Sequence, residues 1–537
     1  MLSRRGLIAA SAFAAAAWPL GARAQFNRQA SNNIFVTVDT AAGKLRGIDV
    51  GGIKLFRGVP YGAPTSGQNR FMPPQMPTPW TGIRDTFDWG QIAPQVIQSP
   101  DIDYVRMIDW NLQSGGMGED LLTLNIWTRG LNDDAKRPVL VSFHGGGFTT
   151  GSSSESGYDG DPLARFADVV VVTVNHRLGA LGFLDLGDIG APPEFAHAGN
   201  AGMLDLVASL EWVRDNIASF GGDPGNVMIF GQSGGGRKVS TLMAMPAAKG
   251  LFHRAAIQSG AQVISMSREQ GAKMANAMLT ELGLGKSRIA DLQNLPFEQI
   301  LTAQTAVLAR GPAHEFWPIV DGHDLPQNPF DPAAPEVSAA VPLIVSNCLN
   351  DAALALTNFN LTDAGLLTIV QKLVGPQQAQ RVVDLYLQAY PWMTPYQVQA
   401  AMFTDRDVHR RSVTLAERKA RQTTTGGAPV WMYRFDWPSP GFGGKFGAVH
   451  GIDVGLVFHN PQTPIDGDRP VAQHLADRLA ATWVAFARTG NPATHDGFPE
   501  WPAYTIERRD TLVINKRSRV VSDPGGQFRT LWDELGV

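Results

Sequence analysis

Cysteine is almost absent from this chain of 537 residues, because Cys348 is the only one. A single thiol cannot form an intrachain disulfide, so packing alone must hold the fold together. One thiol also cannot build a metal site with other cysteines. Cys348 ends an apolar run, and this favours a buried packing residue over a cysteine nucleophile.

An excess of charge is also missing. Charged residues make up 18% of the chain and the formal net charge is −4. Without a basic stripe or a long charge run, nothing points to nucleic acid. Beyond residue 22 no apolar run is long enough to span a bilayer, so we predict no stable membrane span in the mature chain. We find no internal repeat and no low-complexity linker, and we predict a single domain over residues 25–537.

The first residues have the features of a targeting segment. Arg4 and Arg5 give a positive start, residues 6–22 carry no charge, and Ala22-Arg23-Ala24 fits a signal-peptidase site. We therefore predict a signal peptide over residues 1–24. The paired arginines indicate the twin-arginine type, which exports folded proteins across a bacterial inner membrane. The mature protein is then expected to be periplasmic or secreted.

Runs of apolar, often β-branched residues recur with helical segments between them. Such continuous runs are typical of strands buried on both faces of a parallel sheet. The runs are residues 139–143, 169–174, 227–230, 342–345 and 430–435. Alternation of strands and helices predicts an α/β fold with a central, mostly parallel sheet and helices on both faces. The alternating segments 35–39, 44–48 and 54–57 predict antiparallel strands at the sheet edge.

Two stretches depart from this alternation, near residues 266–340 and 354–425. Both have helical patterns and both follow predicted strands of the sheet. Inserted segments after strands often carry functional loops above a site. We therefore predict that these stretches are helical insertions that form a cap.

The strongest chemical signal is Gly231-Gln232-Ser233-Gly234-Gly235, directly after the buried run 227–230 and before a predicted helix over residues 236–245. Strand, tight turn and helix in this order make a nucleophile elbow. The glycines allow close backbone approach, and the helix N-terminus favours negative charge at the serine. We predict that Ser233 is a nucleophile.

A second signal is His144-Gly145-Gly146-Gly147-Phe148, just after the run 139–143. A tetrahedral acyl intermediate needs backbone N–H groups aimed at its oxyanion. We expect Gly146 and Gly147, together with Gly234, to supply them. A phosphate cradle is the alternative, but no Lys-Ser/Thr pair follows the glycines.

A serine nucleophile needs a base and an acid. His450, flanked by Gly447-Ala448-Val449 and Gly451, is the predicted base, and His459 is its main competitor. Asp351, six residues beyond the run 342–345, is the predicted acid because it follows the strand after the nucleophile helix. Asp321, interpreted as a turn residue, and Asp363, interpreted as a helix cap, are the alternatives.

With these motifs in place the chain resembles the type-B carboxylesterases, a family that includes bacterial para-nitrobenzyl esterases and the cholinesterases. The resemblance covers nearly the whole mature chain and implies the α/β-hydrolase fold. Besides the elbow, the segments that carry it are Phe56-Arg57-Gly58-Val59-Pro60-Tyr61, Arg70-Phe71-Met72-Pro73-Pro74, Glu119-Asp120-Leu121-Leu122-Thr123-Leu124-Asn125, Asn175-His176-Arg177-Leu178-Gly179, Gly199-Asn200-Ala201-Gly202, Val320-Asp321-Gly322 and residues 483–492.

Three positions depart from the family pattern. Gln232 stands where relatives often have Glu, which removes a negative charge beside the nucleophile and argues against cationic substrates such as choline esters. Asp351, in Asn350-Asp351-Ala352, stands where the family acid is usually a longer Glu. Leu121 replaces a cysteine that many relatives place in a disulfide.

These observations predict a serine esterase that hydrolyses small carboxylic esters without a cofactor or a metal. Phe148, Phe316 and Trp317, with Gln232, are candidates for the substrate pocket, although the three aromatic residues are also plausible core residues. An amidase or carbamate hydrolase with the same triad is the first alternative. A non-catalytic binding protein on the same scaffold is the second. Oligomeric state has no signature in the sequence.

Overall fold

The sheet strands form where apolar residues alternate between two buried faces. The computed structural model describes residues 34–97, 101–108, 115–311, 315–461, 464–467, 470–494 and 497–536. In the central strands, every second residue packs into one hydrophobic core, and the residues between them pack into a second core on the other face of the sheet. Val139 and Val141 join the first core, for example, and Leu140 joins the second. The prediction of strands buried on both faces is confirmed.

The described residues contribute thirteen strands to one sheet. The strands are β1 Phe35–Thr40, β2 Gly43–Val50, β3 Ile53–Pro60, β4 Ile83–Asp85, β5 Thr123–Thr128, β6 Arg137–Phe143, β7 Val170–Val174, β8 Gly222–Gln232, β9 Arg254–Gln258, β10 Leu343–Cys348, β11 Val430–Phe435, β12 Asp510–Ile514 and β13 Arg519–Ser522.

The sheet order is β1-β2-β3-β5-β7-β6-β8-β9-β10-β11-β12-β13, and β4 pairs with β2. From β7 to β12 every neighbouring pair is parallel. The pairs along β1-β2-β3-β5-β7 and the pair β12–β13 are antiparallel. The antiparallel strands predicted at the N-terminal edge are therefore confirmed. Because the central strands are parallel, the loops after β6, β8, β9, β10 and β11 all leave the same edge of the sheet.

Helices cover both faces of this sheet. They are α1 Asp103–Ile108, α2 Asp161–Phe166, α3 Gly179–Phe183, α4 Ala201–Asn216, α5 Gly234–Leu242, α6 Arg268–Glu281, α7 Phe297–Leu308, α8 Asp363–Val374, α9 Pro376–Ala389, α10 Pro395–Thr404, α11 Arg410–Thr423, α12 Val454–Val457, α13 Pro470–Thr489 and α14 Gly526–Leu535. The mostly parallel α/β prediction is confirmed. The elements from Phe35 onward form one compact unit.

The two predicted insertions contain helices α6 to α7 and α8 to α11. Helix α11 packs against β10 and β11, so it forms part of the crossover between these two parallel strands. For the other helices the cap function stays a prediction. The predicted signal peptide lies outside the described residues. Within the part of the chain that the structure describes, no helix is long and apolar enough to cross a membrane.

Candidate active site

Ser233 occupies a strained turn between a strand and a helix. Strand β8 ends at Gln232 and helix α5 begins at Gly234, so Ser233 is the residue before the first helical turn. Its backbone has φ 58° and ψ −121°, a conformation that side chains with a Cβ rarely adopt. The turn is fixed by a 2.8 Å hydrogen bond from the Ser233 N–H to the carbonyl of Gln258. The strand, turn and helix match the geometry expected of a nucleophile elbow.

The loop after β6 lies against the start of helix α5. A Cβ added at Gly234 would lie 2.1 Å from the Gly147 carbonyl oxygen and 2.5 Å from its nitrogen, so the two backbones are in direct contact. Gly146 has φ 77°, and a Cβ there would lie 2.3 Å from the Thr150 carbonyl oxygen. Among the described residues the N–H groups of Gly146, Gly147 and Gly234 have no hydrogen-bond acceptor. These donors therefore remain available to an anionic oxygen beside Ser233.

Buried polar groups support this glycine loop from behind. The Lys238 ammonium donates a 2.8 Å hydrogen bond to the His144 carbonyl, and the Tyr158 hydroxyl accepts one of 3.0 Å from the Gly145 N–H. Burial lowers the pKa of Lys238 to about 7 and raises the pKa of Glu155 to about 8. Burial, and then the nearby Lys238, hold the pKa of His144 well below its usual range. None of this support was found from the sequence, because it depends on side chains that meet only in the fold.

His450 and Asp351 lie in contact although 99 residues separate them. His450 Nδ1 is 2.6 Å from Asp351 Oδ1, and Asp351 is fully buried. Its other oxygen accepts hydrogen bonds from the Ser259 hydroxyl at 3.1 Å and the Cys348 N–H at 2.7 Å. A carboxylate at Nδ1 orients the imidazole and leaves Nε2 to act as a base. The Tyr104 hydroxyl donates a 2.9 Å hydrogen bond to the His450 carbonyl.

Asn350 joins the two loops that carry this pair. Its N–H donates to the Ala448 carbonyl at 3.0 Å, and its side-chain oxygen accepts from the Ala448 N–H at 3.1 Å. Strand β10 continues to Cys348, so Asp351 lies three residues beyond the strand rather than six. Together these contacts bring the loop of Asp351 close to the loop of His450, and an aspartate is long enough to reach the ring. In the sequence, Asn350 is marked only by its position next to Asp351.

The competing candidates have other partners. Asp321 accepts hydrogen bonds from the N–H groups of His323 and Leu325, as a turn residue does. Asp363 is the first residue of helix α8, next to the N-cap Thr362. His459 Nε2 is 2.8 Å from Asp477. Among the described hydrogen bonds, none joins these three candidates to Asp351 or His450.

Cys348 is fully buried, and burial raises the pKa of its thiol well above the usual range. A reactive cysteine needs an accessible thiolate, so this environment disfavours a nucleophilic function.

The predicted pocket residues are divided between the core and a cavity. Phe316 is fully buried among core residues. Phe148 is also buried, and its ring centroid lies 6.4 Å from that of Trp317. Trp317 lines a cavity of about 460 Å³, and the Arg237 guanidinium lies 4.3 Å from its ring centroid. A substrate-binding function of Phe148, Phe316 and Trp317 stays a prediction.

Gln232 lines a different cavity from Trp317. It is buried, its side-chain nitrogen has no hydrogen-bond partner, and it lines a cavity of about 50 Å³ with Glu155 and Tyr158. An extra carboxylate at this position would lie in a buried space that already holds Glu155. A substrate-binding function of Gln232 stays a prediction.

Comparison with known proteins identifies relatives that belong to one family of ester hydrolases. The model of the carboxylesterase family matches residues 35–529. The chain is 34% identical over 512 residues to the para-nitrobenzyl esterase of Bacillus subtilis, which covers 92% of this chain and 97% of the relative. It is 31% identical over 502 residues to the phenmedipham hydrolase of Pseudarthrobacter oxydans, and this match covers 90% of this chain and 96% of the relative.

Solved structures agree with these relatives. A carboxylesterase of Geobacillus stearothermophilus superposes with a TM-score of 0.78 at 34% identity and covers 92% of this chain and 99% of its own. An esterase of Clostridium hathewayi, described as able to hydrolyse aliphatic aromatic polyesters, superposes with a TM-score of 0.79 at 31% identity. This match covers 93% of this chain and 99% of the esterase. The α/β-hydrolase fold expected from the resemblance is confirmed.

Proposed function

This chain belongs to the carboxylesterase family and is a carboxylic ester hydrolase, and we propose that Ser233, Asp351 and His450 carry out its reaction through an acyl-enzyme. One observation carries the assignment of residues. The 2.6 Å contact between His450 and Asp351 lies at the sheet edge from which the strained Ser233 turn also leaves.

The proposed reaction has two halves. His450 Nε2 takes the proton of the Ser233 hydroxyl as its oxygen attacks the ester carbonyl and forms a tetrahedral intermediate. The intermediate collapses, the bond to the alkoxy oxygen breaks, and His450 gives its proton to the departing alcohol. Water then attacks the acyl-enzyme with His450 again as base, which releases the acid and restores Ser233.

Charge develops on the carbonyl oxygen in both halves. The unused N–H groups of Gly146, Gly147 and Gly234 support their assignment as the oxyanion hole. Loss of one such donor costs about 10²–10³-fold in kcat in serine hydrolases of known mechanism. Asp351, fully buried and with two further hydrogen-bond donors, stabilises the imidazolium that forms on His450. The chemistry requires no cofactor.

Ser233 Oγ makes no hydrogen bond to any described residue. Catalytic hydrogen bonds often tighten only when a substrate is bound, so the absence of this bond in the free enzyme agrees with a nucleophilic function of Ser233.

We propose small, uncharged esters as the substrates. Gln232 carries no charge, whereas a carboxylate at this position would attract cations. Para-nitrobenzyl esters are the first substrates to test, because a close relative in length and sequence carries that name. Acylcholines are expected to be poor substrates, and a choline ester with the highest kcat/KM would contradict this part of the proposal.

We also propose that the chain is exported. Support comes from the charge pattern and cleavage site of residues 1–24, with Arg4 and Arg5 as a twin-arginine pair. Replacement of both arginines with lysine should leave the enzyme in the cytoplasm of a bacterial host. Periplasmic or secreted activity that is unchanged after this replacement would contradict the twin-arginine assignment.

The decisive test of the residue assignment is Ser233→Ala. We expect kcat on a para-nitrobenzyl ester to fall by about 10⁶-fold, as for loss of the nucleophile in other serine hydrolases. An organophosphate probe should label the native enzyme at Ser233 and fail to label the variant. Ser287→Ala, at an exposed serine, is the matched control and should keep full activity. Substantial activity in Ser233→Ala would disprove the mechanism.

The same assays address the two predicted alternatives. A panel of matched ester, anilide and aryl carbamate substrates should give the highest kcat/KM for the ester. A preference for the anilide or the carbamate would favour the amidase or carbamate hydrolase alternative. Failure of the native protein to react with every substrate and with the probe would favour a non-catalytic binding protein.

A further inference from the structure

Two histidines and an aspartate that take no part in the candidate active site converge near the protein surface. His197, from the segment between α3 and α4, lies beside His323 and Asp324 of a later loop. Each of the three offers one ligand atom, and these atoms all lie within 4.8 Å of one another. His197 Nδ1 is 2.8 Å from Asp324 Oδ2, and His323 Nδ1 is 3.3 Å from Asp324 Oδ1. The two rings meet edge to face with centroids 5.0 Å apart.

The spacing suits a metal ion. Zinc binds histidine nitrogen and carboxylate oxygen at 2.0–2.2 Å, so tetrahedral ligand atoms lie about 3.3 Å apart. The distance of 2.8 Å between His197 Nδ1 and Asp324 Oδ2 is a little below that value, so a small separation of the two side chains would admit an ion between them. His323 Nδ1 also accepts the Asp324 N–H at 2.9 Å. A neutral imidazole has a single free lone pair, so a metal on Nε2 would place the ring proton on Nδ1 and replace this bond with one from the Nδ1–H group to a neighbouring carboxylate. Small side-chain rotations would bring the ligand atoms of all three residues, which now lie within 4.8 Å of one another, to the separation that a zinc ion requires.

Further carboxylates surround the cluster. Asp321 Oδ2 lies 3.3 Å from His323 Nδ1, where it can orient the ring as outer carboxylates do in metal sites. Asp188 and Asp185 lie nearby, and the Arg268 guanidinium, and more weakly His323, hold the pKa of Asp188 below its usual range. Asp185 Oδ2 is buried without a hydrogen-bond partner. The Arg268 guanidinium lies near Asp185, Asp188 and Asp321, and burial raises the pKa of Asp185 to about 7. The local density of carboxylates around the two histidines favours a bound cation.

We propose that His197, His323 and Asp324 bind one divalent transition-metal ion of the zinc type. Imidazole nitrogen favours zinc, nickel and copper, whereas magnesium and calcium prefer sets made only of oxygen. Three protein ligands leave room for water in the remaining position. The ligands come from positions 197 and 323–324, so no short spacing motif marks them, and the sequence alone predicts no metal.

The bound ion would join two segments that pack beside the candidate active site. Asn200 already ties them, since its side chain exchanges hydrogen bonds of 2.8 and 2.9 Å with the backbone of Ile319. The loop of Ile319 also carries Trp317, which packs near Phe148 of the predicted oxyanion loop. The ion therefore acts as a second tie between the same segments, and its binding should raise the unfolding temperature because only the folded chain presents the three ligands together.

The test uses the full-length, untagged enzyme freed of metal with a chelator. Titration calorimetry with zinc chloride should show one ion per chain, and zinc should raise the midpoint of thermal unfolding. Magnesium and calcium should give neither effect. Absence of saturable zinc binding in the native chain would overturn the proposal.

Variants locate the ion. His197→Ala and His323→Ala should each lower zinc affinity by about 10-fold or more and remove the thermal shift. His474→Ala, at an exposed histidine outside the cluster, is the matched control and should bind zinc like the native chain. Unchanged affinity in both cluster variants would assign any binding to adventitious surface sites. Ser233→Ala should bind zinc normally, so this test is independent of the catalytic proposal.

Discussion

The two halves of the candidate active site are built in different ways. The nucleophile half consists of backbone: five consecutive residues from Gly231 to Gly235 and a glycine loop after the neighbouring strand β6. Its geometry is set by a turn at Ser233 and by contact between Gly147 and Gly234. The acid–base half consists of side chains, since Asp351 and His450 come from distant loops and meet through Asn350, Ser259 and the Cys348 N–H.

This difference shows where the site tolerates change. In the nucleophile half a single methyl group would overlap backbone atoms, so little variation is possible. In the acid–base half the proposed acid is an aspartate where the family resemblance implies a glutamate, and the contacts between the two loops bring Asp351 within 2.6 Å of His450. In the first half we expect a single added methyl group to displace backbone atoms and lower kcat directly. In the second half we expect the fall in kcat to depend on how many contacts of Asp351 a substitution removes. Three predictions test this contrast, from the largest effect to the smallest.

The largest effect is expected for Asp351→Asn. The amide cannot hold His450 in the tautomer that accepts the Ser233 proton, so kcat should fall by about 10⁴-fold while the fold is retained. Steady-state kinetics and the thermal unfolding midpoint measure the two properties. Asp363→Asn, at a candidate that lies on the exposed start of helix α8, is the control and should keep native kcat. A native kcat in Asp351→Asn would move the acid elsewhere.

An intermediate effect is expected for Gly234→Ala. The added Cβ would lie 2.1 Å from the Gly147 carbonyl oxygen, so one backbone must move and the oxyanion donors lose their alignment. We expect kcat to fall by about 10²–10³-fold with a small change in KM. Gly285→Ala is the control, because its Cβ would meet nothing closer than 4.0 Å. A loss confined to KM would argue against an oxyanion function.

The smallest effect is expected for Ser259→Ala, which removes one of the donors to Asp351. Hydrogen bonds to charged groups contribute about 1.5–3 kcal/mol, but the Cys348 N–H remains, so we expect kcat to fall by only about 10-fold. Steady-state kinetics and the thermal unfolding midpoint measure the two effects of this substitution. A lower unfolding midpoint with native kcat would make Ser259 purely structural.

Strand prediction succeeded where the local pattern was strong. The runs at 139–143 and 430–435 lie in β6 and β11, and the run at 227–230 lies near the end of β8. Strands β5, β9 and β12 were not predicted, because their alanines, charges and threonines give no continuous apolar run. Helix α5 begins at Gly234 rather than at 236, since tertiary contacts hold three successive glycines in a helix that their intrinsic preference opposes.

The sequence by itself determined the nucleophile turn. Its strand, its glycines and the following helix are contiguous, so local backbone chemistry specifies where Ser233 must stand. The tertiary structure decided which acid meets His450, which side chains support the glycine loop, and that His197 lies beside His323 and Asp324. Such contacts depend on the order of parallel strands and on loops that leave one edge of the sheet, and a linear pattern does not encode the distances between them.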